Sequence, residues 1–161
     1  MIFKILLIAI AMLASSVTVS LAQDFEKGME AYQKGDYATA LSIWLPLAEQ
    51  GDAEAQNWLG VMYDYGDGVT QDDKEAANWF RKAAEQGNAG AQNNLGSRYI
   101  LGKGVIQDIV LAHMWYDIAA SNGNENAVMV REYIANLMNA YQMVKAQDLA
   151  RECVQKNYKG C

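Results

Sequence analysis

The chain has 161 residues, the length of one ordinary domain, and 13 Lys and Arg against 19 Asp and Glu give it a net charge of −6. An acidic domain repels nucleic acid and anionic lipid. A single histidine, His113, excludes a multi-histidine zinc site or a two-histidine facial triad.

The first segment reads as a signal peptide over residues 1–22. Lys4 precedes an apolar run, Ile5–Leu13, and small and polar residues end in Ser20-Leu21-Ala22. Cleavage is expected after Ala22. The alternative is a membrane anchor, but the run is short against the ~20 residues that span a bilayer. No other long apolar run follows, so the chain from Gln23 to Cys161 is expected to be exported, with no integral membrane segment after cleavage.

Residues 23–52 read as a first helical hairpin, with helices over 24–34 and 37–50. The stretch "AYQKGDYATALSIWLPLAEQGDA" carries Tyr32, Gly35, Ala40, Trp44, Ala48 and Gly51. The same order returns in longer units. Sliding the chain by 36 residues places Ala53–Asn88 on Ala89–Asn124 with 18 of 36 positions identical. Within each unit the apolar period is helical: Ala55, Leu59, Met62 and Tyr63 share one face, and Ala76, Trp79, Phe80 and Ala83 share another. The predicted helices are 53–65, 72–86, 89–101 and 108–121. A lone hairpin cannot bury its stripe, so stacked neighbours bury it for each other. Gly60 and Gly96 sit mid-helix at a cost of ~1 kcal/mol against alanine. Paid twice at one register, that cost predicts a neighbouring helix crossing there. Trp79, Phe80, Trp115 and Tyr116 are read as core.

The joint between the two helices of a unit contains "GDGVTQD", Gly66–Asp72. With Asp64 and Asp73 beside it, it could be a calcium loop. The second copy argues otherwise. Asp64, Asp67 and Asp73 become Ile100, Lys103 and Ile109, while Gly66, Gly68, Val69, Gln71 and Asp72 return as Gly102, Gly104, Val105, Gln107 and Asp108. What persists suits a left-handed helix cap, a buried valine and an N-cap.

The last segment, 125–161, reads as a capping hairpin with helices over 125–138 and 141–157. Ala127 keeps the register of Ala55 and Ala91, but no glycine loop follows. Cys153 and Cys161 are expected to form a disulfide that folds the tail back onto the last helix. A metal or redox thiol pair is the alternative, without a CxxC spacing or a nearby histidine to support it.

The ordered set Ala-x-Ala, Leu-Gly, Tyr, Gly-x-Gly-Val, Asp, Ala, Trp and Ala-Ala, at a period of 36, resembles the Sel1-like repeat family, relatives of the tetratricopeptide repeat with a longer turn. The two units 53–88 and 89–124 carry the resemblance. The segment 23–52 looks more like a plain tetratricopeptide unit. The resemblance implies an all-α fold: a right-handed α/α solenoid of about four hairpins, acting as an adaptor for a peptide or protein partner. It implies no cofactor. By analogy with tetratricopeptide units, the first helix of each hairpin lines the concave side. Outward positions there would include Glu54, Asn57, Val61, Asp64 and Tyr65, then Asn93, Ser97, Ile100 and Leu101, then Met129, Tyr133 and Asn136. Asn57 and Asn93 could hold a peptide backbone or brace a neighbouring helix.

No nucleophile elbow, phosphate-binding loop or dinucleotide fingerprint is present. His113, on the second helix of its hairpin, is expected at the surface, exposed or half-buried. Three functions remain open at this level. The first is an exported interaction module. The second is a weak hydrolase of cell-wall-like amides, suggested only by cysteine-rich relatives that bind penicillin-like compounds. The third is a structural solenoid in an envelope assembly.

Overall fold

A computed structural model describes residues 23–161. The expected signal peptide at 1–22 lies outside the described residues. Eight helices follow: α1 (23–33), α2 (Tyr37–Glu49), α3 (Ala53–Tyr65), α4 (Asp73–Ala84), α5 (Ala89–Leu101), α6 (Ile109–Ser121), α7 (Glu125–Ala135) and α8 (Ala140–Gln155). There are no strands among the described residues.

Short polar side chains start the helices. Asp36, Asp52, Asp72, Asn88, Asp108, Asn124 and Asn139 each accept a backbone N–H of the first turn. Each cap stabilises its helix by ~1 kcal/mol. α3 and α5 end on Gly66 and Gly102, both left-handed at φ 77° and 66°. The helix expected over 125–138 stops at Ala135. Asn139 and Gln142 form a reciprocal capping box that starts α8, so the chain must turn before it.

Consecutive helices from α2 to α7 pack against each other as antiparallel neighbours. The core runs through them in three joined clusters. Trp44, Leu47, Leu59, Met62 and Trp79 form the first. Phe80, Leu95, Tyr99, Met114, Trp115 and Ile118 form the central one. Tyr116, Ala119, Ala127 and Ile134 form the last. Gly60 and Gly96 make the close approaches possible. A Cβ on Gly60 would lie 2.5 Å from the Phe80 ring, and one on Gly96 would lie 3.0 Å from the Tyr116 ring. The crossing partner is therefore an aromatic ring of the same hairpin's second helix.

The last two helices depart from the expected capping hairpin. α8 packs on α6, as α7 also does, and barely touches α7. Its buried residues are small: Ala146, Ala150 and Cys153. They let α8 lie close against α6, where Ala150 and Cys153 join the central cluster. The Cys153–Cys161 disulfide is formed, with Cα atoms 5.6 Å apart. It turns residues 156–161 back onto the helices, and Asn157 and Tyr158 adopt positive φ of 50° and 65°. The Tyr158 hydroxyl donates to Asn122 Oδ1 at 3.3 Å, and its ring lies over Gly87.

Candidate interaction face

The glycine joints are scaffold. Every acid near Gly66–Asp72 already has a protein partner. Asp67 accepts from the Tyr32 hydroxyl at 2.6 Å, Asp72 caps α4, and Asp64 and Asp73 both face Arg98. Burial and the bond to Asp67 push the Tyr32 hydroxyl well above the usual phenol range. Val69 and Val105 pack into the first and central clusters. Gln71 Nε2 donates to the Asp64 carbonyl at 2.8 Å, and Gln107 Nε2 to the Ile100 carbonyl at 2.7 Å. These amides satisfy carbonyls at helix C-termini, which have no partner within the helix.

A second amide ladder joins the hairpins. Gln56 Nε2 donates to the Ala48 carbonyl at 2.9 Å, and its oxygen accepts from Gln86 at 2.7 Å. One repeat later, Gln92 Nε2 donates to the Ala84 carbonyl at 3.1 Å, and its oxygen accepts from Asn122 at 2.9 Å. Gln92 is fully buried with both polar ends satisfied. Repetition of Gln at 56 and 92 was the visible signal for this role.

The expected outward positions divide into three groups. Asn57 is buried, and its side-chain oxygen accepts from Asn94 Nδ2 at 3.1 Å. It braces α5, where a Cβ on Gly90 would lie 3.4 Å from Asn57 Nδ2. Asp64 is not outward either. It makes a bidentate ion pair with buried Arg98, at 2.6 and 2.9 Å. Val61, Asn93, Ser97 and Ile100 are half-buried. Tyr65, Leu101, Met129 and Tyr133 are exposed, at 73%, 56%, 65% and 66%. Glu54 accepts from Asn88, and exposed Asn136 donates to the Glu132 carbonyl.

Leu137, 59% exposed, was missed. It lies 36 residues beyond Leu101, which lies 36 beyond Tyr65. In α3 and α5 the first-helix row therefore ends on a large exposed apolar side chain, and Leu137 keeps that spacing in the turn after α7. Arg98 was missed for a different reason. Its counterparts Met62 and Ile134 are apolar, so the repeat gave no hint of an ion pair.

His113 corrects its expectation. It is buried, with Nδ1 lacking a hydrogen-bond partner. Burial pulls its pKa below the usual imidazole value, Asp117 draws it up, and Arg131 draws it down. Neighbouring α7 covers this part of α6, where Arg131 pairs with Asp117 at 2.8 Å. Among the described residues no group of three or more His, Cys, Asp or Glu is placed to hold a metal. Among them no helix is long and apolar enough to cross a membrane.

The family model described as the Sel1 repeat matches residues 53–88 and 89–124. The chain carries two Sel1 repeats. A protective antigen present in uropathogenic Escherichia coli strains and displaying an SLR fold is similar in structure, with a TM-score of 0.80 and 29% identity. The match covers 86% of this chain and 31% of the antigen. A Sel1 repeat protein from Oxalobacter formigenes is similar with a TM-score of 0.65 and 37% identity, over 68% of this chain and 45% of that one. The chain thus spans less than half the length of either solved structure. No curated protein sequence matches it. The fold is a right-handed α/α solenoid, and Sel1 repeats generally mediate contacts between proteins.

Proposed function

We propose that this chain is an exported interaction module that holds a peptide or protein partner along the concave row of α3, α5 and α7. One observation carries the reading. Tyr65 and Leu101 end α3 and α5 at one register, Leu137 keeps the same spacing in the turn after α7, and all three are exposed, while α3 and α5 bury Leu59, Met62, Leu95 and Tyr99. Three evenly spaced apolar steps suit a partner that offers apolar side chains at intervals. Half-buried Asn93 and Ser97 add amide and hydroxyl groups that could pair with its backbone.

Export is supported by the disulfide, which belongs to an oxidising compartment, and by the signal-like character of residues 1–22. A bacterial envelope or extracellular setting fits both, and the similarity to a protective antigen points the same way. No cofactor or nucleic acid enters the reading.

The test is affinity capture from an envelope fraction with the wild-type chain and with the double variant Tyr65→Ser, Leu101→Ser. The wild type should retain a specific partner and the variant should lose it. Both should melt at the same temperature, since neither side chain is buried. Equal capture by the two proteins would remove this row as the binding surface.

A further inference from the structure

The joint between α6 and α7 is built differently from those before it. α3 and α5 bury Leu59 and Leu95 at one register. Arg131 stands at that register in α7, and its guanidinium pairs with Asp117 of α6 at 2.8 Å. His113 stands on α6 where α4 has Ala77. It is buried, and its Nδ1 has no hydrogen-bond partner. An ion pair and a buried imidazole thus take places that the earlier units fill with apolar side chains.

α7 is also lightly held. It buries only Ala127 and Ile134, whereas α3 and α5 each bury six residues. It packs on α6 and barely touches α8. A segment with few buried contacts opens at a lower free energy than the rest of its domain.

We propose that the α6–α7 joint is a pH-sensitive latch, in which a proton on His113 releases α7 from α6. Asp117 and Arg131 are the charged groups that act on the ring, one from its own helix and one from α7. α5 and α8 also pack on α6, and among the described residues neither adds a charge to that set. Asp117 lies one helical turn beyond His113, a spacing at which side chains meet. At neutral pH the ring is uncharged and Asp117 serves Arg131 alone. Once protonated, the ring competes with Arg131 for the one carboxylate. Loss of that pair counts for little, since both side chains are 31% exposed. The buried imidazolium counts for more, because taking a charge out of water is costly. Undocking of α7 returns the ring to water and relieves that cost.

Burial holds the docked ring below its ordinary pKa of 6.5, which the undocked ring regains. The latch is therefore closed above pH 6.5 and opens as pH falls through the interval below it. α7 supplies the last step of the proposed binding row, so an open latch would remove that step. This consequence rests on the proposed row, and the latch itself does not.

Amide exchange at pH 7 and pH 5, corrected for the intrinsic chemical rate, tests the latch. Protection over 125–135 should fall towards pH 5, by at most about tenfold per pH unit for a single proton. Protection in α3 and α5 should hold. His113 is the only histidine, so its ring resonances should titrate in step with the loss. His113→Gln should keep α7 protected at pH 5. Arg131→Leu places at 131 the residue that α3 and α5 already carry and frees Asp117 for the ring, so it should also flatten the response. Equal protection over 125–135 at both pH values in the wild type, a loss shared equally by α3 and α5, or a wild-type response in His113→Gln would each overturn the latch. No binding partner enters the measurement, so its outcome stands apart from the capture experiment.

Discussion

Asp64 of α3 and Arg98 of α5 form a bidentate ion pair across the joint between the two Sel1 repeats. One repeat later the same two positions are Ile100 and Ile134, which lie together in an apolar cluster. The solenoid thus solves one packing problem twice, once with charge and once without. The Arg98 side chain is 8% exposed and that of Asp64 13%, so neither charge is well solvated.

The pair predicts an asymmetry between single and double replacement. Arg98→Ala leaves the Asp64 carboxylate without its partner and should cost ~3–5 kcal/mol, while Asp64→Ala leaves Arg98 the longer contact to Asp73 and should cost less. The double variant Asp64→Ile, Arg98→Ile copies the next repeat and should recover most of that loss. Urea unfolding of the three variants measures the coupling. Additive losses would mean that the two side chains act independently.

Gly60→Ala should destabilise more than Gly96→Ala. The new methyl would lie 2.5 Å from Phe80 in the first case and 3.0 Å from Tyr116 in the second. Overpacking costs ~1–3 kcal/mol, set against a helix-propensity gain of ~1 kcal/mol. Thermal melts should show a clear fall for Gly60→Ala and a smaller change for Gly96→Ala.

His113 predicts a fall in stability on mild acidification. Its folded pKa lies below the unfolded 6.5 because burial disfavours the imidazolium. The unfolded chain therefore binds more protons in this window. Stability is full above pH 6.5 and declines as pH drops through the interval down to the folded value. His113→Gln should flatten the stability profile between pH 7 and 5. Glu30, Asp36 and Glu152, whose pKa values are lowered by hydrogen bonds from Lys34, Thr39 and Lys156, act only at more acidic pH. An unchanged slope in the variant would assign it to other groups.

The Cys153–Cys161 bridge should stabilise by ~2–3 kcal/mol, the chain-entropy figure for a short loop. Replacing both cysteines with serine should lower the melt. It should also raise amide exchange over 156–161, because Tyr158 would lose its seat against Asn122 and Gly87. Exchange confined to residues before α8 would contradict this.

Periodicity is strong in this chain, and it placed α3 and α5 at their observed bounds. The two copies also distinguished hinge from ligand at Gly66–Asp72, because the hinge residues recur and the acids do not. Repetition is silent where the copies differ. Arg98 replaces Met62, and Ile100 replaces Asp64, so the inter-repeat ion pair left no trace in the slide. Asn57 recurs as Asn93, yet only Asn57 meets an amide of the next repeat, because the place of Asn94 is taken by Val130 one repeat later. Nor could one sequence show that α8 would lie on α6. That docking follows from small residues at Ala146, Ala150 and Cys153, which also fit an ordinary hairpin. His113 was misplaced because its counterpart Ala77 says nothing about whether a ring could be buried there.

The central claim is that partners engage the first-helix row. Site-specific photo-crosslinking tests it most directly, with a photoreactive residue placed at Tyr65, at Leu101 or at exposed Asn78 on α4. The account predicts that positions 65 and 101 label the same partner and that position 78 labels none. Labelling from position 78 with none from 65 or 101 would contradict it and place the contact on the second helices.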